Sequence, residues 1–288
     1  YLYNSKQRKF VSLSTETPIV RYIELSERIK PLVVAPPLRV LVMISSPTDY
    51  PQLNVEQEWT KLKEAVAALE RRGSIILEGL SEATLGSLQR RLRRGEFHIF
   101  HFIGHGAFED NDGVLILEKH KRGCSVSGSD LGTLLHDHRS LRMAMLNACE
   151  GARSSQTDPF SGVAQSLVLQ GIPAVIAMQF EISDQAAISL AHEFYGAVTD
   201  GYPVDAALAE ARKAVFAEGN TVEWGTPVLY LRAPDGRIFD IPASSHHEWI
   251  SEDRGDPPPA TARYCIHCGT GIGQEDIYCT NCGKMTAT

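Results

Sequence analysis

Two short stretches carry the residue types that acyl transfer requires. Phe100-His101-Phe102-Ile103-Gly104-His105-Gly106 ends an apolar run in an imidazole between two glycines. Leu146-Asn147-Ala148-Cys149-Glu150-Gly151 ends another in a thiol among small residues. A base and a sulfur nucleophile at the ends of two strands are the pair a thiol-dependent peptidase uses: His105 polarises or takes the thiol proton, the Cys149 thiolate attacks a carbonyl carbon, and backbone N–H groups hold the oxyanion. Gly104 and Gly106 allow tight turns and close substrate approach, and are expected to end the strand.

Those residues need a scaffold. Phe97–Ile103 and Leu141–Leu146 are apolar enough to be strands buried on both faces. Around them the pattern predicts strands at Leu38–Ser45, Ser74–Leu80, Ala174–Met178 and Pro227–Leu231. Helices are predicted at Val55–Arg71, Thr84–Arg94, Leu131–His136, Gly162–Gln170, Asp184–Val198 and Val204–Phe216, with a short hairpin arm at Gly113–Glu118. Such alternation argues an α/β fold, a mostly parallel sheet flanked by helices. Functional crevices of open α/β sheets lie beyond the carboxyl ends of parallel strands, where His105 and Cys149 both fall.

The flanks divide off. Residues 1–37 form an N-terminal extension, either an added strand and helix packed on the sheet or the end of a missing regulatory region, with Pro36-Pro37 at its exit. Residues 38–243 form the main domain; 244–262, with His246-His247 and Pro257-Pro258-Pro259, read as a linker. Within 263–288, Cys265-x-x-Cys268 and Cys279-x-x-Cys282 supply four thiolates from two tight turns, each pair followed by a glycine (Gly269 and Gly283). Four sulfurs close a tetrahedral zinc site, so a structural Zn is expected, with an iron-sulfur or redox centre as the alternative. The pattern resembles a small zinc ribbon. Its few apolar residues leave the metal to supply most of the folding free energy. His267 sits inside one turn as a surface residue.

With 288 residues, 43% of them apolar, the chain has material for one sizeable core. A formal net charge of −7 gives no general attraction to nucleic acid or anionic membranes. Around the ribbon, Arg263 and Lys284 only balance Glu275 and Asp276, so a protein contact or simple stabilisation is favoured there over phosphate binding. No apolar run approaches the roughly 18 residues of a membrane span. No secretory segment leads the chain, which opens at Tyr1 rather than methionine and is read as a fragment. Of six cysteines, four form the metal pattern and one is the nucleophile, which fits a reducing, cytoplasmic compartment.

From about Leu38 to Arg232 the chain resembles the CHAT peptidases of the caspase-like clan, relatives of caspases, separases and gingipains. The resemblance rests on His105-Gly106, Asn147-Ala148-Cys149-Glu150-Gly151, Gln170-Gly171-Ile172-Pro173-Ala174-Val175-Ile176, Phe194-Tyr195 and Pro227-Val228-Leu229-Tyr230. It implies a caspase-like fold and a cysteine endopeptidase acting on a protein substrate. Asn147 stands in place of the caspase Gln, so caspase-type aspartate specificity is not implied. The resemblance places the oxyanion hole at the amides of Cys149 and Gly106. By position, Asp184 matches the acid that separase-like members use for a basic P1 side chain; the plain alternative is an N-cap for the adjacent helix. Glu181 is a rival acid. The resemblance also suggests bacterial signalling, defence or programmed cell death, with an upstream regulatory domain or activating partner.

Other residues have plain readings. His101 shares a strand face with His105 and is read as a hydrogen-bonded core histidine, with support of the site as the alternative. His98 falls on the opposite face. Cys124 reads as an ordinary thiol. Glu109, Asp110 and Asp112 form an acidic loop read as solvated, with calcium binding or attraction of a basic substrate as the alternatives, and Arg90, Arg91, Arg93 and Arg94 a solvated helix end. Two further function classes remain: a catalytically silent caspase-like scaffold, and a zinc-dependent nucleic-acid-binding regulator that the acidic balance disfavours.

Overall fold

Along each central strand, successive apolar residues go to opposite cores. Val40 and Val42 face one side while Leu41 and Met43 face the other, and Met143 and Met145 are likewise separated from Ala144 and Leu146. This period of two explains why the runs read as continuously apolar: both faces are covered. The computed structural model describes residues 3–6, 8–25, 29–109, 112–148, 159–180, 182–219, 222–242, 263–264 and 271–272. The chain divides into two compact units, Tyr1–Pro242 and Ala243–Thr288.

The first unit is built on a 9-stranded sheet. Its strands are β1 (Arg21–Tyr22), β2 (Leu38–Ile44), β3 (Ile75–Gly79), β4 (Ile99–Glu109), β5 (Asp112–Lys119), β6 (Arg122–Ser127), β7 (Met143–Ala148), β8 (Ala174–Met178) and β9 (Pro227–Leu231). The order is β1-β9-β8-β7-β4-β2-β3, with β5 pairing β4 and β6. Pairing is parallel from β8 through β7, β4 and β2 to β3; β9 is antiparallel to β8, and the β5–β6 hairpin is antiparallel to the end of β4. β1, from the N-terminal extension, adds to β9 in parallel.

Helices α1 (Val55–Arg71), α5 (Asp184–Thr199) and α6 (Val204–Ala217) cover one face. Helices α2 (Leu85–Arg93), α3 (Gly128–Leu135) and α4 (Pro159–Leu169) cover the other. In α1 the buried residues Leu62, Ala65, Val66 and Leu69 fall at helical spacing, while Glu56 and Glu58 in the first turn and Arg71 in the last suit the helix dipole. Asn54 starts α1, its side-chain oxygen accepting from the Gln57 N–H at 3.1 Å. Each such Leu or Val, fully buried, contributes about 1.5–3 kcal/mol.

Two expectations need correction. Gly104 and Gly106 do not end the strand, because β4 continues through both to Glu109. Where parallel pairing with β7 stops at Gly104, antiparallel pairing with β5 takes over, His105 opposite Ile116 and Gly106 opposite Leu115. Glycine at 104 answers to crowding: a Cβ there would lie 2.7 Å from the Phe102 ring and 3.2 Å from Ser45 Cβ. The predicted arm is a full hairpin whose second strand, β6, includes Cys124.

His98 caps no site, its Nδ1 accepting from the Arg39 N–H at 2.9 Å. Arg91 is ion-paired with Glu78, and its guanidinium lies 4.6 Å from the Phe97 ring centroid. Among the described residues no cluster of three His, Cys, Asp or Glu could hold a metal, and no helix is long and apolar enough to cross a membrane. In the second unit, Arg263–Tyr264 pairs antiparallel with Gly271–Ile272. Cys265, Cys268, Cys279 and Cys282 lie outside the described residues.

Candidate active site

The site is set by a register. β4 and β7 run in parallel with Asn147 opposite Ile103 and Ala148 opposite Gly104. His105 is the next residue on β4, and Cys149 follows the last residue of β7 in sequence. Cys149 itself, with Glu150 and Glu181, lies outside the described residues.

His105 is 1% exposed and is held by the loop at Tyr50 and Pro51. Its Nε2 lies 2.8 Å from the carbonyl oxygen of Pro51. A carbonyl only accepts, so Nε2 carries a proton and Nδ1 is the basic nitrogen. Tyr50 packs on the imidazole with ring centroids 5.4 Å apart. Behind Tyr50 lies Gly123, where a Cβ would fall 2.5 Å from Tyr50 Cε2, so only glycine leaves that ring its room. Burial, then the carboxylates of Glu109 and Asp49, push the Tyr50 hydroxyl above its ordinary pKa.

The loop carrying Tyr50 and Pro51 is stapled to the β5–β6 hairpin. Ser45 Oγ donates to the Ile116 carbonyl at 2.8 Å, and the Ser46 N–H donates to Glu118 Oε1 at 3.0 Å. Asp49 Oδ1 accepts from the Gly123 N–H at 2.6 Å. The hairpin therefore holds both the strand that carries the imidazole and the loop that orients it. Sequence reading passed over Pro51 because its contribution is main-chain, and no side-chain type announces it.

Asp184 is the first residue of α5, and the helix cap is its neighbour. Ser183 Oγ accepts from the Ala186 N–H at 3.5 Å, while the Ser183 N–H donates to Glu223 Oε1 at 2.7 Å. The Asp184 side chain is 57% exposed and its Oδ1 accepts from Lys61 Nζ at 2.6 Å; the same ammonium donates to Glu58 Oε1 at 2.7 Å. Burial alone would lower the Lys61 pKa, but its hydrogen bonds to Asp184 and Glu58 and their charges outweigh burial, and the net shift is upward. Neither Lys61 nor Glu58 stood out in the sequence, where they read as the polar side of α1.

A cavity of about 230 Å³ opens between these groups, walled by Gln52, Asn54, Glu58, Lys61, Asn147 and Asp184. Gln52 follows the residue whose carbonyl holds His105, and Asn147 precedes Cys149 by two. His101 lies deeper on the same face of β4, 2% exposed, with Nδ1 2.8 Å from the Tyr195 hydroxyl; burial drives its pKa down to about 4.

Residues 2–251 match the CHAT domain family. No curated protein sequence matches the chain. Among solved structures, it is similar to the separase of the Saccharomyces cerevisiae separase–securin complex, with 13% identity, a TM-score of 0.42, and coverage of 70% of this chain and 12% of that one. It is similar also to the Drosophila initiator caspase Dronc, with 13% identity, a TM-score of 0.42, and coverage of 78% and 96%. A third is the complex of Porphyromonas gingivalis RgpB pro- and mature domains, with 11% identity, a TM-score of 0.45, and coverage of 71% and 48%. The family match spans most of the sequence and includes His105, Cys149 and the strands leading to them, and on it the chain belongs to the CHAT domain family.

Proposed function

We propose that this chain is a cysteine endopeptidase that cleaves a protein partner with Cys149 as nucleophile and His105 as base. The observation that supports it most is the β4–β7 register, with Ala148 opposite Gly104, together with the Pro51 carbonyl that fixes the His105 tautomer. In this reading the Cys149 thiol proton passes to His105 Nδ1 and the thiolate attacks the scissile carbonyl carbon. The oxyanion is held by the amides of Cys149 and Gly106. His105 then returns the proton to the leaving amine as the C–N bond breaks. Water, activated by the same imidazole, hydrolyses the thioester and restores the thiol.

The cavity beside Asn147 takes the P1 side chain, and Asp184 gives it a preference for Arg or Lys. Because Asp184 is more than half exposed and already paired with Lys61, its expected contribution is about 1 kcal/mol, or about fivefold, well below that of a buried pair. A P1-scanned peptide library tests this. Asp184→Asn is expected to lower kcat/KM about fivefold for basic P1 and much less for apolar P1. Lys61→Met, which frees the carboxylate, is expected to raise it for basic P1. Uniform loss across all P1 residues in Asp184→Asn would assign Asp184 to holding the loop alone.

The last segment is read as a zinc ribbon of Cys265, Cys268, Cys279 and Cys282. The antiparallel pairing of Arg263–Tyr264 with Gly271–Ile272 brackets the first Cys-x-x-Cys turn and suits that ligand set. The metal's part is structural, and the ribbon serves a protein contact or domain stabilisation.

A further inference from the structure

Beneath the P1 cavity lies a second, smaller one of about 30 Å³; the two share Glu58, Lys61, Asn147 and Ala187 in their walls. Its sides are apolar, from Leu62, Ala65, Met145 and Leu190, and His101 and Asn147 bring it polar atoms. Among the described residues, His101 Nε2 and Asn147 Oδ1 are buried and have no hydrogen-bond partner. Buried polar atoms in folded proteins are nearly always partnered, so two orphans on residues that line one cavity call for an occupant.

The chemistry of that occupant follows from Tyr195. Its side chain is fully buried, and the partner the structure gives its hydroxyl is His101 Nδ1 at 2.8 Å. A buried O–H needs an acceptor, so the hydroxyl donates to Nδ1. The ring is neutral, because burial lowers its pKa to about 4, and the ring proton therefore sits on Nε2. The two orphaned atoms thus present one donor, His101 Nε2–H, and one acceptor, Asn147 Oδ1, while Glu58 and Lys61, which also line the cavity, are hydrogen-bonded to each other. A water accepts from the first and donates to the second, and the volume exceeds the roughly 10–15 Å³ that one water requires.

We propose that the base of the specificity pocket is a single water held between His101 and Asn147, and that this water receives the terminal N–H of a long cationic P1 side chain. The second half of this statement rests on the P1 reading above; the water site does not. An ammonium or guanidinium carries only donors and would meet His101 Nε2–H as donor against donor. The water resolves that conflict by offering its remaining lone pair to the cation. The apolar walls suit the methylene stem of Lys or Arg. His101 is then a positioning residue that acts through the water and through Asn147, two residues ahead of the nucleophile.

A crystal structure of the full chain, as Cys149→Ala to prevent self-cleavage, decides the water site whether or not the chain is a peptidase. One water within about 3 Å of both His101 Nε2 and Asn147 Oδ1 is expected. A dry cavity, or a direct bond between the two side chains, overturns the proposal. The second arm is the double variant His101→Phe/Tyr195→Phe, which removes the polar pair without orphaning either partner. Its basic-over-apolar P1 selectivity is expected to fall about five- to tenfold, with the change in KM rather than kcat. Unchanged selectivity, or equal loss for all P1 residues, overturns the role in specificity. If the variant does not fold, Asn147→Ser, which shortens the acceptor, must give the same selectivity loss. Failure of the wild-type chain to cleave any P1 peptide would count against the peptidase reading and the role in specificity, while the crystallographic result would still decide the water site.

Discussion

Cys149→Ala and His105→Ala are each expected to lower peptide cleavage by about 10⁴-fold or more, and the double variant is expected to be little worse than either alone. Residues that act as a unit are not additive: a thiol without its base and a base without its thiol are about equally ineffective. The loss corresponds to about 5.5 kcal/mol on the barrier. It is separable from instability. His105→Ala gives up the hydrogen bond to Pro51 and the packing against Tyr50, at about 1–3 kcal/mol of stability. For a unit of this size that lowers the melting midpoint by roughly 2–4 °C per kcal/mol, which leaves it folded at assay temperature. Turnover and thermal unfolding measured on the same preparations check both. Undiminished cleavage by Cys149→Ala would remove the nucleophile from the account.

Metal removal is expected to have the second largest effect, confined to one unit. Apparent binding free energies of structural zinc in small modules are on the order of 10–16 kcal/mol, which is most of what folds a segment this short. Strong chelation or Cys279→Ser should therefore unfold the segment after Ala262 and leave the sheet of Tyr1–Pro242 intact, since the two are separate compact units. Limited proteolysis would show new cleavage after residue 262, with the melting transition of the first unit unmoved. Elemental analysis should give one zinc per chain. An iron chromophore, or no metal, would replace the ribbon reading.

Much of the scaffold could be read from sequence because its signals were local and redundant. Val55–Arg71 and Ala174–Met178 have the bounds their patterns indicated, one from amphipathic helical spacing, the other from a short apolar run. The end of β4 was misread because glycine ordinarily breaks strands. Here a tertiary contact with Phe102 and Ser45 demands glycine, and a hairpin supplies the next partner. The second strand of that hairpin escaped because its turn holds His120 and Lys121 at φ of 53° and 66°, a left-handed conformation usually signalled by Gly or Asn. Within the site, His105 was legible as an imidazole at a strand end. Its orienting carbonyl was not, and neither was the Lys61 counter-ion of Asp184, which comes from a helix 123 residues away.

The central claim is that Cys149 is activated by His105, and competitive labelling by a thiol-directed electrophile tests it most directly. Cys124, a free and half-buried cysteine in the same unit, is the internal control. In the wild-type chain below pH 7, Cys149 should react on the order of tenfold faster than Cys124, because an imidazole partner raises its thiolate fraction. His105→Ala should erase that advantage. A Cys149 no more reactive than Cys124, or equally reactive with and without His105, would contradict the account and leave the fold as a scaffold.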